Sequence, residues 1–434
     1  MALGTVAQSR LSTQTSSAPP AFVVPRFGLA VFQNDANPSN GVAVVHGQRP
    51  RAFESRTSLP SDCLWISTAQ QGEVAQNFRP KNFLRSSLEA LADDLGVELR
   101  DVVDGMPRMA QMLEQISNLV ALCYKWDDPR LAWSKSSLAE IVREAFPRMP
   151  DPEGGIIGPL KDALQSYSAV PDRIMVREHR NPVRQYTLRH NRLDYAQYLL
   201  SQPYPDLTSN WMWSELRDVQ QALDLPYPCL VEVALEFDPP SEGQPDYSRL
   251  CAFGSSVPGR RGSGVMRRWV SQPELQWLAQ HAHVHIKRSL VSTSGYVRLP
   301  KEFALPAPLC TDPLLTLSLA AGVVAEAHWV ALTLPRLRKR DHSGASSRFE
   351  EVVTPLAVWL KAYDRAYGFF MAAQAAQMGY DVVGYGYGAV TVEADRNEPA
   401  RLLELADRLG VCHPNLAALQ SRIALGGLEP EVAA

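Results

Sequence analysis

From Val352 to Gly410 the hydrophobic positions fall into a helical period, a strand period broken by glycines, and a second helical period. Leu356, Trp359, Leu360, Tyr363, Tyr367, Phe370 and Met371 recur at steps of three and four. That spacing predicts one helix with a buried face from Leu356 to Met378. Thr354 can cap its start, Pro355 fits the first turn where no N–H is needed, and Gly379 follows its end. Val382-Val383 and Ala389 to Val392 predict two strands of a sheet packed on that helix, and Gly384, Gly386 and Gly388 between them permit a tight hairpin. A helical pattern resumes from Glu398 to Leu409.

The same reading places strands at Phe27 to Phe32, Val42 to Val45 and Leu64 to Ser67. Asn82 to Phe146 reads as helical, with capping-box signatures at Ser86 to Glu89 and at Ser137 with Glu140. Pro147 to Gly158 clusters Pro, Asp and Gly and marks a linker. Leu230 to Phe237 alternates apolar and polar residues, as a strand with one buried face does. A Gly/Arg loop is expected at Pro258 to Arg268, a helix opening near Trp269 to Leu275, and a strand at Val284 to Val291. Leu314 to Leu334 is apolar enough to consider for a membrane. Glu326 and His328 fall inside it, and a charge near a helix centre in lipid costs about 2.5–3.5 kcal/mol, which favours a buried helix instead.

Composition is that of a globular chain: 434 residues, 45% hydrophobic and 21% charged, enough for two or three domains. The net charge of −3 excludes a global basic field, so contact with nucleic acid must use a local patch. Cys63, Cys123, Cys229, Cys251, Cys310 and Cys412 are scattered without a CxxC pair, the usage of a reduced, cytoplasmic protein without zinc finger or disulfide framework. Residues 1–20, rich in Ser, Thr, Gln and Ala, read as a disordered tail.

The helix core Ala362-Tyr363-Asp364-Arg365, the glycine hairpin and the helix to Gly410 together resemble the third conserved motif of family-B DNA polymerases. That motif has an Ala-x-x-Arg helix, then Tyr-x-Asp-Thr-Asp-Ser on a hairpin, then a helix. Trp269 to Leu275 is similar to the family's Trp-x-Ser-x-x-Glu-Leu segment. His190 to Tyr198 stands where the first motif, Asp-x-x-Ser-x-Tyr-Pro, would lie, with Tyr195 or Tyr198 as its tyrosine. Leu314 to Gly322 stands where the second, Lys-x-x-x-Asn-Ser-x-Tyr-Gly, would lie. The resemblance covers roughly residues 185–410.

It implies an α+β fold with a polymerase-palm-like antiparallel sheet and packed helices, plus a smaller N-terminal α/β domain. Residues 21–150 would form that N-terminal β-then-helical domain, a remnant of the family's RNase-H-like exonuclease. Phe32-Gln33-Asn34-Asp35 is the nearest match to its Asp-x-Glu and lacks the paired acid. Residues 159–434 would form the palm with a reduced thumb. Gly386 and Gly388 fall at the family's two catalytic aspartates, His190 or Leu193 at the first-motif aspartate, and Pro313 at the second-motif lysine. Glycine offers no ligand to magnesium. The resemblance therefore implies a degenerate palm, with no catalytic residues, metal or cofactor. Such a chain would bind DNA or a replication partner as scaffold or regulator, in a phage, plasmid or other mobile element, with no membrane partner.

Two other readings stand beside it. An active nucleotidyl transferase would use magnesium on displaced acids, with Asp194 as the residual first-motif carboxylate and Glu232, Glu236, Asp238 and Asp381 near the expected strands. A structural or assembly protein would need none of this. Candidate nucleic-acid contacts are Arg260, Arg261, Arg267 and Arg268, and Arg336, Arg338, Lys339 and Arg340 beside a loop-like run to Ser347. Tyr385 and Tyr387 are candidate stacking residues, and Trp211 and Trp213 read either as stacking residues or as core. His281, His283 and His285 alternate, so on a strand they would share a face; metal binding there competes with an ordinary exposed strand.

Overall fold

The computed structural model describes residues 26–69, 83–84, 88–95, 97–126, 133, 137–147, 158–168, 174–176, 185–238, 240, 245–251, 266–339, 349–394 and 399–411. The expected tail at 1–20, most of the Pro147 to Gly158 linker, Arg260, Arg261, Arg340 and the run to Ser347 lie outside them.

Four strands, β1 (Arg26–Phe32), β2 (Gly41–Val45), β3 (Arg51–Phe53) and β4 (Cys63–Ser67), form the first sheet in the order β3-β2-β1-β4. The first three pair antiparallel, and β4 runs parallel to β1. β3, short and exposed at two of its three residues, carries no period-2 signal. One face of the sheet packs Phe27, Leu29 and Val31 toward Met109, Leu113 and Ile116 of a long helix, and the other gathers Phe32, Phe53 and Trp65. The helices of this region are α1 (Leu88–Leu95), α2 (Gly105–Tyr124) and α3 (Leu138–Arg143). At the start of α3 the expected capping box is in place, with Ser137 and Glu140 each accepting the other's backbone N–H.

Among the described residues, the rest of the chain contains two four-stranded antiparallel sheets and two two-stranded ones. Strand β5 (Ile174–Met175) and strand β6 (Gln185–Arg189), which runs into helix α4 (Arg192–Ser201), come first. β7 (Tyr204–Pro205), β8 (Trp211–Ser214), β9 (Cys229–Glu236), β10 (Met266–Ser271), helix α5 (Gln272–Leu278), β11 (His283–Ser292) and β12 (Tyr296–Val297) follow. Helix α6 (Leu319–Thr333) leads into the ribbon β13 (Arg336–Lys339) and β14 (Phe349–Val352). Helix α7 (Pro355–Gln377), β15 (Asp381–Gly386), β16 (Ala389–Glu393) and helix α8 (Pro399–Leu409) complete the described chain. One sheet has the order β10-β9-β11-β8 and the other β5-β15-β16-β6; β7 with β12 and β13 with β14 pair separately. The result is a mixed α+β fold.

Helix α7 holds the two sheets together. Thr354 accepts the Ala357 N–H as its N-cap, Pro355 opens the helix, and Gly379 lies just past its end. Its first half joins the core that begins under the N-terminal sheet and includes α2, α4 and α6; its second half joins a core shared by β9, β15, β16 and α8. Trp359 is fully buried and packs at 5.9 Å on Trp211, which is partly buried against the core. Helix α6 is apolar apart from Glu326, His328 and Thr333 and is buried over most of its length, as a helix passing through a core must be. Among the described residues no helix is long and apolar enough to cross a membrane.

Two expected loops contain strand. Met266 to Arg268 enter β10, because each pairs with β9. Arg336 to Lys339 form β13, with Arg338 opposite Glu350. Conversely, His281 precedes β11, and its ring packs against Tyr247 and Phe369.

Candidate functional site

The β15–β16 hairpin closes through Tyr387 and Gly388, whose φ angles of 55° and 64° are both left-handed. This is the geometry of a two-residue type I′ turn, which favours glycine. A Cβ on Gly388 would sit 2.6 Å from the Tyr195 ring, so α4 presses directly on the turn.

Asp364, on α7 and fully buried, is the anchor of that turn. Its Oδ2 accepts the Tyr387 N–H at 2.8 Å, and its Oδ1 accepts the Gly388 N–H at 2.9 Å and the Tyr195 hydroxyl at 2.8 Å. Burial pushes the carboxyl up to about 6, and these three donors with neighbouring Arg365 oppose the rise. Asp364 is therefore mostly ionised at neutral pH. Burial raises the Tyr195 phenol well above its ordinary range, with Asp364 adding to the shift, so the hydroxyl remains a donor.

The segments that resemble the first and third polymerase motifs meet here. β6 pairs with β16, with Arg189 opposite Ala389, and the His190 N–H donates to the Gly388 carbonyl at 3.0 Å. The His190 ring stacks on Tyr195 at 5.5 Å and 6°, and burial lowers its pKa. Helix α6 brings Glu326, which takes Arg189 at 3.1 Å and Arg192 at 2.6 Å. Arg189 also donates to the Tyr387 carbonyl at 3.2 Å. The tip is thus held by an aspartate through its amides and by an arginine through a carbonyl.

Gly386 and Gly388 lie at this tip, as their place in the hairpin requires. Asp194 lies in the first turn of α4 and is exposed; its backbone N–H is capped by Asn191. The other acids of the active-enzyme reading are dispersed. Glu232 pairs with Arg288 and Glu236 lies near His285 on the other sheet, Asp238 lies just past the end of β9 near His283, and Asp381 starts β15 at the end away from the turn. Among the described residues no group of three or more His, Cys, Asp or Glu is placed to hold a metal.

Two of the proposed contact residues are buried instead. Tyr385 is 2% exposed and its hydroxyl donates to the Leu250 carbonyl, because the inward face of β15 takes it into the core. Arg268 is 8% exposed and pairs with Glu274 at 2.6 Å, because β10 turns it under α5. Tyr387 is half-buried against Trp329. Arg267 lies on β10 beside Ala234 of β9. Trp213 is half-exposed on an edge strand, under the Arg288 guanidinium.

Sequence alone does not single out Asp364, Arg189, Arg192 or Glu326 as site residues. For Asp364 a signal is present: an acid four residues after Leu360 and three before Tyr367, on the helix's apolar face. For the other three, only the fold brings α4, α6 and β6 together.

No protein-family model matches this chain, and no curated protein matches it. Among solved structures, the chain is similar to Phi29 DNA polymerase complexed with primer-template DNA, at 11% identity and a TM-score of 0.42, covering 85% of this chain and 80% of that one. It is also similar to the same polymerase in an orthorhombic crystal form, at 10% identity and a TM-score of 0.41, covering 86% and 81%.

Proposed function

We propose that the protein is a polymerase-like DNA-binding scaffold that does not itself add nucleotides. The observation that carries this reading is the meeting of the first- and third-motif-like segments at one hairpin tip with their chemistry changed. Gly386 and Gly388 supply no carboxylate, and neither His190 nor Leu193, the two residues that can stand at the first-motif aspartate, supplies one. The buried carboxylate at the tip, Asp364, is already engaged by two backbone amides and a phenol. Two magnesium ions about 3.5–4 Å apart need bridging acids to offset their repulsion, and the donor set here is poorly suited to that task.

DNA contact is assigned to the β13–β14 ribbon with Arg336, Arg338 and Lys339, and to Arg340, Arg260, Arg261 and Arg267. A two-stranded ribbon fits the major groove, and arginines on it contact phosphates without reading sequence. The test uses one preparation of the full chain in two assays. Labelled-nucleotide incorporation on a primed template, with magnesium or manganese, should be absent, while the same DNA should be bound with a salt-dependent affinity. Incorporation that Asp194→Ala abolishes would overturn the inactive reading; absence of DNA binding would overturn the scaffold reading.

A further inference from the structure

Strand β11 opens with His283 and His285, whose alternation puts both imidazoles on one face of the sheet. The register sets His283 directly opposite Glu236 on β9, and Asp238 follows two residues past it. In sequence these histidines have no acid nearby; the sheet supplies two. His283 Nε2 lies 3.4 Å from Asp238 Oδ1, and His285 Nε2 lies 3.9 Å from Glu236 Oε2. The four side chains are exposed, from 58% for His285 to 85% for Asp238.

We propose that His283, His285 and Glu236, with Asp238 beside them, form a surface site for a divalent transition ion of the Zn²⁺, Ni²⁺ or Cu²⁺ class. Two imidazoles and a carboxylate are the donors such ions take, whereas magnesium and calcium prefer oxygen throughout. Glu236 faces His283 and is diagonal to His285, so its carboxylate is within reach of both; cross-strand Cβ separations are about 4.5–5.5 Å opposite and ~7–8 Å on the diagonal. As the side chains stand they form two separate pairs, and no three donors are yet gathered round one point. Gathering them requires only rotation of exposed side chains. The contacts given up are a 3.4 Å approach of His283 to Asp238 and a 3.9 Å approach of His285 to Glu236, the second too long to be a hydrogen bond. His281 does not join, since its ring is held by Tyr247 and Phe369. Arg288, farther along β11, already has its charge matched by Glu232 at 2.6 Å.

The experiment is a Co²⁺ titration of the full chain followed by visible absorption, with displacement by Zn²⁺, in a Cys310→Ser background that removes an exposed thiol. One saturable equivalent and a rise in Tm with Zn²⁺ are expected. His283→Ala and His285→Ala should each abolish saturation, Glu236→Gln should weaken it, and Asp238→Asn should cost about tenfold if it orients a ligand. His281→Ala is the matched control and should bind as wild type. Circular dichroism of the metal-free variants separates loss of the site from loss of the strand. No saturable uptake by the parent, or uptake unchanged in both His283→Ala and His285→Ala, overturns the proposal. Neither result bears on DNA binding, which is assigned to other residues.

Discussion

Replacing Asp364 with Asn tests whether this carboxylate sets the hairpin tip. The substitution keeps shape and removes charge. If the amide oxygen stays at the Oδ1 position, the Tyr195 hydroxyl and Gly388 N–H keep an acceptor, but the new NH₂ faces the Tyr387 N–H, donor against donor. Hydrogen bonds to a charged group contribute ~1.5–3 kcal/mol, and a buried unsatisfied donor costs ~1–3 kcal/mol. Asp364→Asn should therefore destabilise by about 2–4 kcal/mol. Asp364→Ala, which strands all three donors, should cost roughly 3–5 kcal/mol or more. Tyr195→Phe removes one donor and leaves an acceptor with two others, so about 1 kcal/mol is expected. Urea unfolding gives the global change, and hydrogen exchange at the Tyr387 and Gly388 amides gives the local one. A cost under ~1 kcal/mol for Asp364→Asn, with both amides still protected, would refute the assignment. The turn would then be held by its own geometry and by Arg189.

Trp359→Ala should cost about 3–5 kcal/mol, read from the same unfolding curves, because it removes a fully buried indole and its packing on Trp211. His328 is buried, with Nε2 against the Phe303 carbonyl and Nδ1 against the Tyr124 hydroxyl, and burial lowers its pKa to about 4. A depressed folded pKa means its stabilisation is complete above the unfolded value near 6.5 and falls away as pH drops toward 4, by about 3 kcal/mol; His328→Gln should remove that part of the stability–pH profile. Asp364 acts in the opposite sense, since its folded pKa lies above the unfolded one: its contribution declines as pH rises from about 4 to 6, and Asp364→Asn should remove that slope. Reversing charge at Arg338 and Lys339 should weaken DNA binding about equally for all sequences. It should also flatten the salt dependence by about one unit for each phosphate no longer neutralised, measured by fluorescence anisotropy.

Strong periods are legible from sequence. The α7 helix matches its expected span to within one residue at each end, and the strands around Val31, Val44, Val233 and Leu290 lie where alternation or β-prone runs place them. β5, β7 and β12 are not legible, since each is only two residues long and exists through its partner. β6 and β8 escape for another reason. Their residues are mostly half-exposed, so burial imposes no clear period-2 pattern on them. At the site, the glycine turn is legible because left-handed backbone needs such residues. The Arg189–Glu326–Arg192 cluster is not, since charge pairs between distant segments leave no local pattern.

The approach of Gly388 to Tyr195 also bears on which sequences this chain can reach by single steps. Introducing an acid at position 388 would force a side chain onto a left-handed residue and place its Cβ 2.6 Å from a buried ring. Position 386, with φ at 135°, is little kinder. An added carboxylate would also meet the Asp364 charge at the same turn before any ion was present to balance it. Tyr195 would first have to shrink and Asp364 to neutralise, and each of those changes alone weakens the hairpin. Any single-step path from this glycine turn to an acidic hairpin therefore runs through less stable intermediates.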